Sequence, residues 1–181
     1  MQENQRITLT KRLLKEGLLR ILKKKNIEKV NVSELCAEAG INRATFYRHY
    51  EMPADVLHDI EKDIISDINI LEFNPKNIPE IKKELERICT YIYERSEMAK
   101  ILLRNSNFAN STELLEMFCK QLLATKYADN LDEESARLIV ISVAGGGSAL
   151  LKAWMLEDIK KTPKEMADLI IRFIEYGKDF F

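Results

Sequence analysis

Apolar residues recur every three or four positions along most of the chain, the spacing that puts them on one face of an α-helix. The first predicted helix covers about residues 10–24, with Thr8 or Thr10 as its cap and a stripe of Leu14, Leu18, Ile21 and Leu22. The later helices begin near residues 32, 43, 53, 79, 97, 112, 132 and 163. No segment alternates apolar and polar residues long enough to predict a β-strand. We therefore predict an all-α protein of about nine helices.

Residues 31–50 predict two short helices joined by a tight turn. Asn31 suits the N-cap of the first, with Glu34 three residues later as in a capping box. Gly40 suits the left-handed conformation that ends a helix, and Asn42 then caps the second helix through Thr45. Two short helices hinged in this way make a helix-turn-helix.

The second of these helices, over about residues 43–49, has an apolar face and a polar face. Phe46 and Tyr50 are four residues apart and should anchor it on the core. The outward residues have chemistry suited to DNA, and the predicted contacts are Asn42, Arg43, Ala44, Thr45, Tyr47, Arg48 and His49. Arg43 can reach base edges, Thr45, Tyr47 and His49 can donate to phosphate oxygens, and Ala44 is small enough to permit close approach.

The string AGINRATFYRHY resembles the signature of the TetR/AcrR family of transcriptional regulators, and the resemblance extends over residues 9–57. It implies a DNA-binding domain over residues 1–52 and a helical regulatory and dimerisation domain over residues 53–181. It also implies that Arg43, Thr45, Tyr47 and His49 contact DNA. The chain departs from the family where Met52-Pro53 replaces a common Ser or Asp followed by Lys. We expect this departure to remove a phosphate contact without changing the fold.

The charge distribution separates the two predicted domains. Residues 1–50 contain 11 Lys and Arg against 5 Asp and Glu, a net charge of +6, while residues 51–181 contain 17 against 24, a net charge of −7. A basic segment that carries a helix-turn-helix is typical of a DNA-binding domain. For Lys23, Lys24 and Lys25, a phosphate contact and a role at the helix C-terminus stay open as alternatives.

Three consecutive glycines, Gly145 to Gly147, interrupt the apolar helix that Asp132 or Asn130 should cap. Their helix propensity is lower than that of alanine by about 2–3 kcal/mol in total, so close packing must compensate. The glycines either allow close contact with another helix, including one of a second subunit, or form a kink or a cavity wall. Two long apolar C-terminal helices predict a homodimer, as the family resemblance also implies. The predicted interface residues are Gly145, Gly146, Ala149, Ile170, Phe173 and Ile174.

Together these features predict a homodimeric repressor that binds a pseudo-palindromic operator in double-stranded DNA and is released by a small molecule. The sequence does not identify the effector. Its predicted pocket includes Tyr91, Phe108, Met117 and Trp154, each of which could equally be plain core. The alternative is a TetR-like co-activator that acts through a protein partner and binds little DNA itself, which the Met52-Pro53 departure favours.

Catalytic and metal-binding chemistry is not predicted. The two histidines, His49 and His58, form no metal-ligand pattern with cysteine, and we expect neither a cofactor nor an enzymatic activity. Cys36, Cys89 and Cys119 lie far apart in apolar contexts and should be small buried groups. No apolar run approaches the length of a membrane span and no signal peptide is evident, so we expect a cytoplasmic protein without membrane contact.

Overall fold

The computed structural model describes residues 2–68, 77–105, 116, 132–157 and 159–177. Within these ranges the chain forms α-helices and no strand, which confirms the all-α prediction. A short 3₁₀ turn, Ile27–Lys29, follows the first helix. The helices are α1 (Gln2–Leu22), α2 (Val32–Ala39), α3 (Arg43–Tyr47), α4 (Pro53–Ile68), α5 (Ile78–Glu94), α6 (Ser96–Asn105), α7 (Glu133–Leu156) and α8 (Pro163–Gly177). The helix predicted to begin near residue 112 lies outside the described residues, apart from Glu116.

The chain divides into two compact units, residues 1–67 and 68–181. Almost all of α4 therefore packs with the first unit, where its apolar residues Val56, Leu57 and Ile60 are buried. The predicted boundary between a DNA-binding domain over residues 1–52 and a regulatory domain over residues 53–181 stays a prediction.

The first unit is built on the predicted apolar stripe of α1. Leu14, Leu18, Ile21 and Leu22 are all buried. The expectation that this helix begins near Thr10 is wrong, because α1 already starts at Gln2. Thr8 does not cap it, since its Oγ1 donates to the carbonyl of Asn4 within the helix, at 2.9 Å.

Gly17 lets α2 approach α1 closely. A Cβ added at Gly17 would lie 3.2 Å from the Cβ of Ala39 and 3.3 Å from its backbone. The low helix propensity of glycine is thus accepted because a larger residue would push the two helices apart.

In the second unit, α5 packs against α8. Ile81, Leu85 and Ile88 of α5 are buried, as are Met166, Ala167, Ile170 and Ile171 of α8. Lys82 pairs with Asp168 at 2.6 Å. The apolar residues of α8 are not all buried, because Leu169 and Phe173 are exposed whereas Ile170 and Ile171 are buried. A helix of 3.6 residues per turn cannot direct so broad an apolar stripe toward one neighbour.

Helix α7 begins at the predicted cap, where Asp132 Oδ1 accepts from the backbone N–H of Ser135 at 2.9 Å. It is long and apolar enough to cross a membrane by length and composition, so the expectation that no run approaches this length is wrong. The core helix of a globular unit passes the same test, and α7 buries Val140, Val143 and Ala144. The length and composition of α7 alone therefore do not indicate a membrane span.

Candidate nucleic-acid interface

The helix-turn-helix of α2 and α3 is shaped by a side-chain cap at the start of each helix and by one glycine between them. Asn31 Oδ1 accepts from the backbone N–H of Glu34 at 3.0 Å. Gly40 ends α2 with φ 67° and ψ 28°. The N–H of Ile41 donates to the carbonyl of Cys36 at 2.9 Å, which completes a left-handed C-terminal turn. These contacts confirm the predicted Asn31 cap and the predicted role of Gly40.

Helix α3 is held at its start by Asn42, whose Oδ1 accepts from the backbone N–H of Thr45 at 2.7 Å. The helix proper covers Arg43–Tyr47 and is two residues shorter than predicted. Arg48 and His49 lie in a turn, where the N–H groups of His49 and Tyr50 both donate to the carbonyl of Phe46, at 2.9 and 3.0 Å. So short a helix depends on packing for its position.

Phe46 and Tyr50 provide that packing. Phe46 is completely buried and Tyr50 is buried, with their ring centroids 6.0 Å apart. Tyr47 is 54% exposed, although the edge of its ring meets Phe46. All the residues predicted to contact DNA lie at least partly at the surface. The exposed ones are Asn42, Arg43, Ala44, Tyr47 and Arg48, and the half-buried ones are Thr45 and His49.

Several cations of the first unit are already neutralised by carboxylates of the same unit. Arg20 pairs with Glu38, Lys25 with Glu34, and Arg12 with Glu16. For Lys25 the ion pair weakens the case for a phosphate contact, since Glu34 partly neutralises its charge within the folded unit. Arg43 and Arg48 have no ion pair among the described residues, so their charges are available to an anionic partner.

A polar cluster that the sequence did not predict lies behind α3. The Oδ2 of Asp59 accepts from the hydroxyl of Tyr50 at 2.7 Å, and it lies 3.2 Å from Lys15 Nζ and 3.3 Å from Lys11 Nζ. Lys15 also pairs with Asp63 at 2.6 Å. One signal did exist in the sequence, because a tyrosine at an anchoring position needs a partner for its buried hydroxyl.

The pKa of Asp59 reflects these partners. Burial raises it, but the hydrogen bonds from Tyr50, Lys15 and Lys11 outweigh burial and lower the pKa to about 2. Burial first, and then the hydrogen bond to the Asp59 carboxylate, raise the pKa of Tyr50. At neutral pH Asp59 is therefore a carboxylate and Tyr50 a neutral phenol.

The start of α4 carries a carboxylate, Asp55, close to Met52-Pro53, where the resemblance leads us to expect a Ser or Asp followed by Lys. Asp55 Oδ2 accepts from the backbone N–H groups of Glu51 and Met52, at 2.8 and 2.9 Å. Pro53 is buried and Met52 is exposed. These two amides are therefore already satisfied by an acidic group, and residues 51–57 carry no positive side chain that could contact a phosphate.

Two of the four predicted pocket residues are described, and Phe108 and Met117 lie outside the described residues. Trp154 is buried, its indole N–H donates to the carbonyl of Lys161 at 2.9 Å, and its ring stacks on Tyr93 with centroids 5.8 Å apart. The guanidinium of Arg95 lies over the ring of Tyr91, 3.9 Å from its centroid. Whether these residues line a ligand site stays a prediction.

The predicted interface residues fall into different environments. Gly145 has open space where a Cβ would be, and Ala149 is exposed. Gly146 makes its close contact within the chain, because an added Cβ would lie 2.6 Å from the ring of Phe173. Ile170 is buried in the core of its own unit, and the side chain of Ile174 lies outside the described part of the structure.

Comparison with known proteins gives a family match and similar solved structures. Residues 80–176 match the family model TetR_C_8, described as the transcriptional regulator C-terminal region. A TetR transcriptional regulator from Streptococcus agalactiae is 17% identical with a TM-score of 0.68, and the match covers 96% of this chain and 98% of that one. The dihydroxyacetone kinase operon activator DhaS is 12% identical with a TM-score of 0.65, covering 95% and 97%.

A TetR transcriptional regulator from a Rhodococcus species is also 12% identical, with a TM-score of 0.56 and coverage of 91% and 92%. At such identities the solved structures support the fold alone. Comparison with curated proteins finds no sequence match.

Proposed function

The chain belongs to the TetR family of transcriptional regulators, and from this premise we propose that it is a homodimeric repressor that a small molecule releases from its operator. The observation that carries the proposal is the surface of α3. Arg43 and Tyr47 project from a short helix whose inner face is locked by Phe46. Guanidinium and phenol groups on a helix of this kind suit contacts with base edges and phosphates in the major groove.

The test is footprinting on the region upstream of the chain's own gene, followed by affinity measurements over a range of salt concentrations. The loss of one phosphate contact lowers the slope of log affinity against log salt by about 0.9, and the loss of one base contact costs about 1–3 kcal/mol. We expect Arg43→Ala and Tyr47→Ala to weaken binding at least tenfold. Arg104→Ala, an exposed arginine of the second unit, is the matched control and should leave affinity unchanged. The absence of a footprint with the wild-type protein would refute the proposed repressor function.

An exposed apolar surface on the second unit supports dimerisation. It consists of Leu138 and Ile141 of α7 with Leu169 and Phe173 of α8, and Gly145 and Ala149 follow on the same side of α7 at helical spacing. We call it the α7–α8 surface. Large apolar side chains exposed together in this way are typical of an interface. A symmetric dimer would also present two copies of α3 to two half-sites, as specific binding requires.

The interior of the second unit supports an apolar effector. Among its described residues the buried side chains are aliphatic, indole, thioether or thiol groups, and the exception is Ser148, which is 3% exposed. The Ser148 hydroxyl has no hydrogen-bond partner in the described part of the chain. An unsatisfied buried hydroxyl costs about 1–3 kcal/mol, which a ligand with a carbonyl or hydroxyl group would relieve.

We therefore propose an effector that is mostly apolar and carries one polar group that reaches Ser148. The predicted wall residues Tyr91, Phe108, Met117 and Trp154 stay part of this proposal. Thermal unfolding of wild type and Ser148→Ala against a panel of apolar carbonyl compounds tests it. We expect Ser148→Ala to raise the melting temperature of the free protein and to reduce stabilisation by any compound that binds. A compound that stabilises both proteins equally would contradict the role of Ser148.

The second candidate function is a co-activator that acts through a protein partner. The acidic N-terminal cap and the exposed Met52 at the start of α4 favour it, and one protein of similar fold is named as an operon activator. Restoring a cation separates the two functions. Met52→Lys should strengthen DNA binding and steepen its salt dependence in a repressor, whereas a co-activator should show a shallow slope and no footprint in either form.

A further inference from the structure

Four residues behind α3, the proposed recognition helix, form a cluster, and none of them is among the proposed DNA contacts: Tyr50, Asp59, Lys11 and Lys15. Tyr50 ends the helix-turn-helix, Asp59 lies in the middle of α4, and the two lysines lie on α1. The single oxygen Oδ2 of Asp59 contacts all three partners, at 2.7, 3.2 and 3.3 Å. The Lys15 ammonium also donates to the backbone carbonyl of Asp59, at 3.3 Å. One carboxylate thus joins three elements of the first unit.

We propose that Asp59 and Tyr50 are positioning residues that fix the angle of the recognition helix relative to α4. The proposal rests on the proposed DNA-binding function and adds to it a way in which α4 controls the helix. Apolar packing of Phe46 is non-directional, whereas a hydrogen bond to a charged acceptor sets both a distance and a direction. Tyr50 is buried, so the surrounding core limits the movement of its ring.

The sign of a mutational effect separates this proposal from plain electrostatics. Asp59 is a negative charge in a basic unit, so its removal should strengthen DNA binding if charge alone matters. If Asp59 positions the helix, its removal should weaken binding. Asp63 provides the matched control, because it is also an α4 carboxylate that pairs with Lys15, yet it is more exposed and its ion pair in the described structure does not involve Tyr50.

The first measurement is the affinity of the full chain for a duplex from the region upstream of its own gene, with the binding-competent fraction determined by stoichiometric titration. We expect Asp59→Ala and Tyr50→Phe each to weaken binding about tenfold, equivalent to about 1.4 kcal/mol. The double variant should bind DNA as tightly as the single variant of lower affinity, because the two substitutions remove the same hydrogen bond. Asp63→Ala should bind as tightly as wild type or more tightly.

Three results would overturn the proposal. One is an Asp59→Ala variant that binds as tightly as Asp63→Ala, and another is a Tyr50→Phe variant with unchanged affinity. The third is a variant whose competent fraction falls while the remaining protein binds normally, since that would indicate a contribution to folding and not to position.

Hydrogen exchange in the DNA-free protein tests the same bond without any binding. The backbone N–H groups of His49 and Tyr50 donate to the carbonyl of Phe46 beside the cluster. Asp59→Ala and Tyr50→Phe should speed their exchange several-fold, and Asp63→Ala should not. Unchanged exchange in both variants would overturn the positioning role even if DNA binding is confirmed. Absent DNA binding with faster exchange would instead overturn the proposed function alone.

Discussion

Truncation of Ile141 to alanine tests the proposed α7–α8 dimer surface most directly. Ile141 is 50% exposed, so a dimer would bury about half of a side chain whose full burial is worth about 1.5–3 kcal/mol. The lost contribution is therefore about 1 kcal/mol per subunit. Two-fold symmetry doubles the effect to about 2 kcal/mol, equivalent to a rise of about 30-fold in the dimer dissociation constant. Alanine is the better helix former, so α7 itself should not be weakened.

Sedimentation velocity over a dilution series measures the dissociation constant, with circular dichroism as a check on helix content. Leu9→Ala is the matched control, because Leu9 is a similarly exposed aliphatic residue on α1 of the first unit. We expect the control to dimerise as wild type does. The reasoning would be refuted if Ile141→Ala and Leu9→Ala shifted the dissociation constant equally, or if the wild type were monomeric at the highest concentration.

Three further predictions concern stability. Gly40→Ala should lower the free energy of unfolding in urea by about 1 kcal/mol or more, because φ is 67° there, and unchanged stability would contradict the left-handed turn. As the pH is lowered from 4 to 2, the Asp59 carboxylate takes up its proton in the unfolded state before it does so in the folded state, so the free energy of unfolding falls. Over this range Asp59→Ala should lose about 2 kcal/mol less of that free energy than wild type. Trp154→Phe removes the hydrogen bond from the indole N–H to the carbonyl of Lys161, an exposed residue, and should lower the free energy of unfolding by about 0.5–1.5 kcal/mol, whereas an unchanged melting temperature would contradict that hydrogen bond.

The starts of α2, α3, α7 and α8 were predictable because capping acts over three residues, whereas no such cap marked the start of α1 at Gln2. Asn31, Asn42 and Asp132 each accept from the backbone N–H three positions later. Thr162 and Glu165 form the complete reciprocal box that their spacing predicts, with the Thr162 N–H donating to Glu165 at 2.8 Å and the Glu165 N–H to Thr162 at 3.2 Å. Interactions this local depend little on the rest of the fold.

The polar cluster behind α3 could not be predicted in the same way. Lys15 and Asp59 are 44 positions apart, and nothing in either neighbourhood of the sequence links them. Their contact depends on how α1 and α4 are placed relative to each other when the first unit folds. The exposure of Phe173 similarly depends on which side of α8 meets α5, because the apolar residues of α8 cover more of its surface than one neighbour can bury.

Short-range chemistry in this chain thus specified the helices, the turn at Gly40 and the outward direction of Arg43 and Tyr47, since periodicity and caps act within one or two helical turns. Long-range packing settled the rest: that Asp59 meets Tyr50 and that Gly146 receives Phe173. Such pairings depend on helix orientations that arise only when the core is packed, because the free energy of packing is shared among many residues and no single segment of the chain contains it.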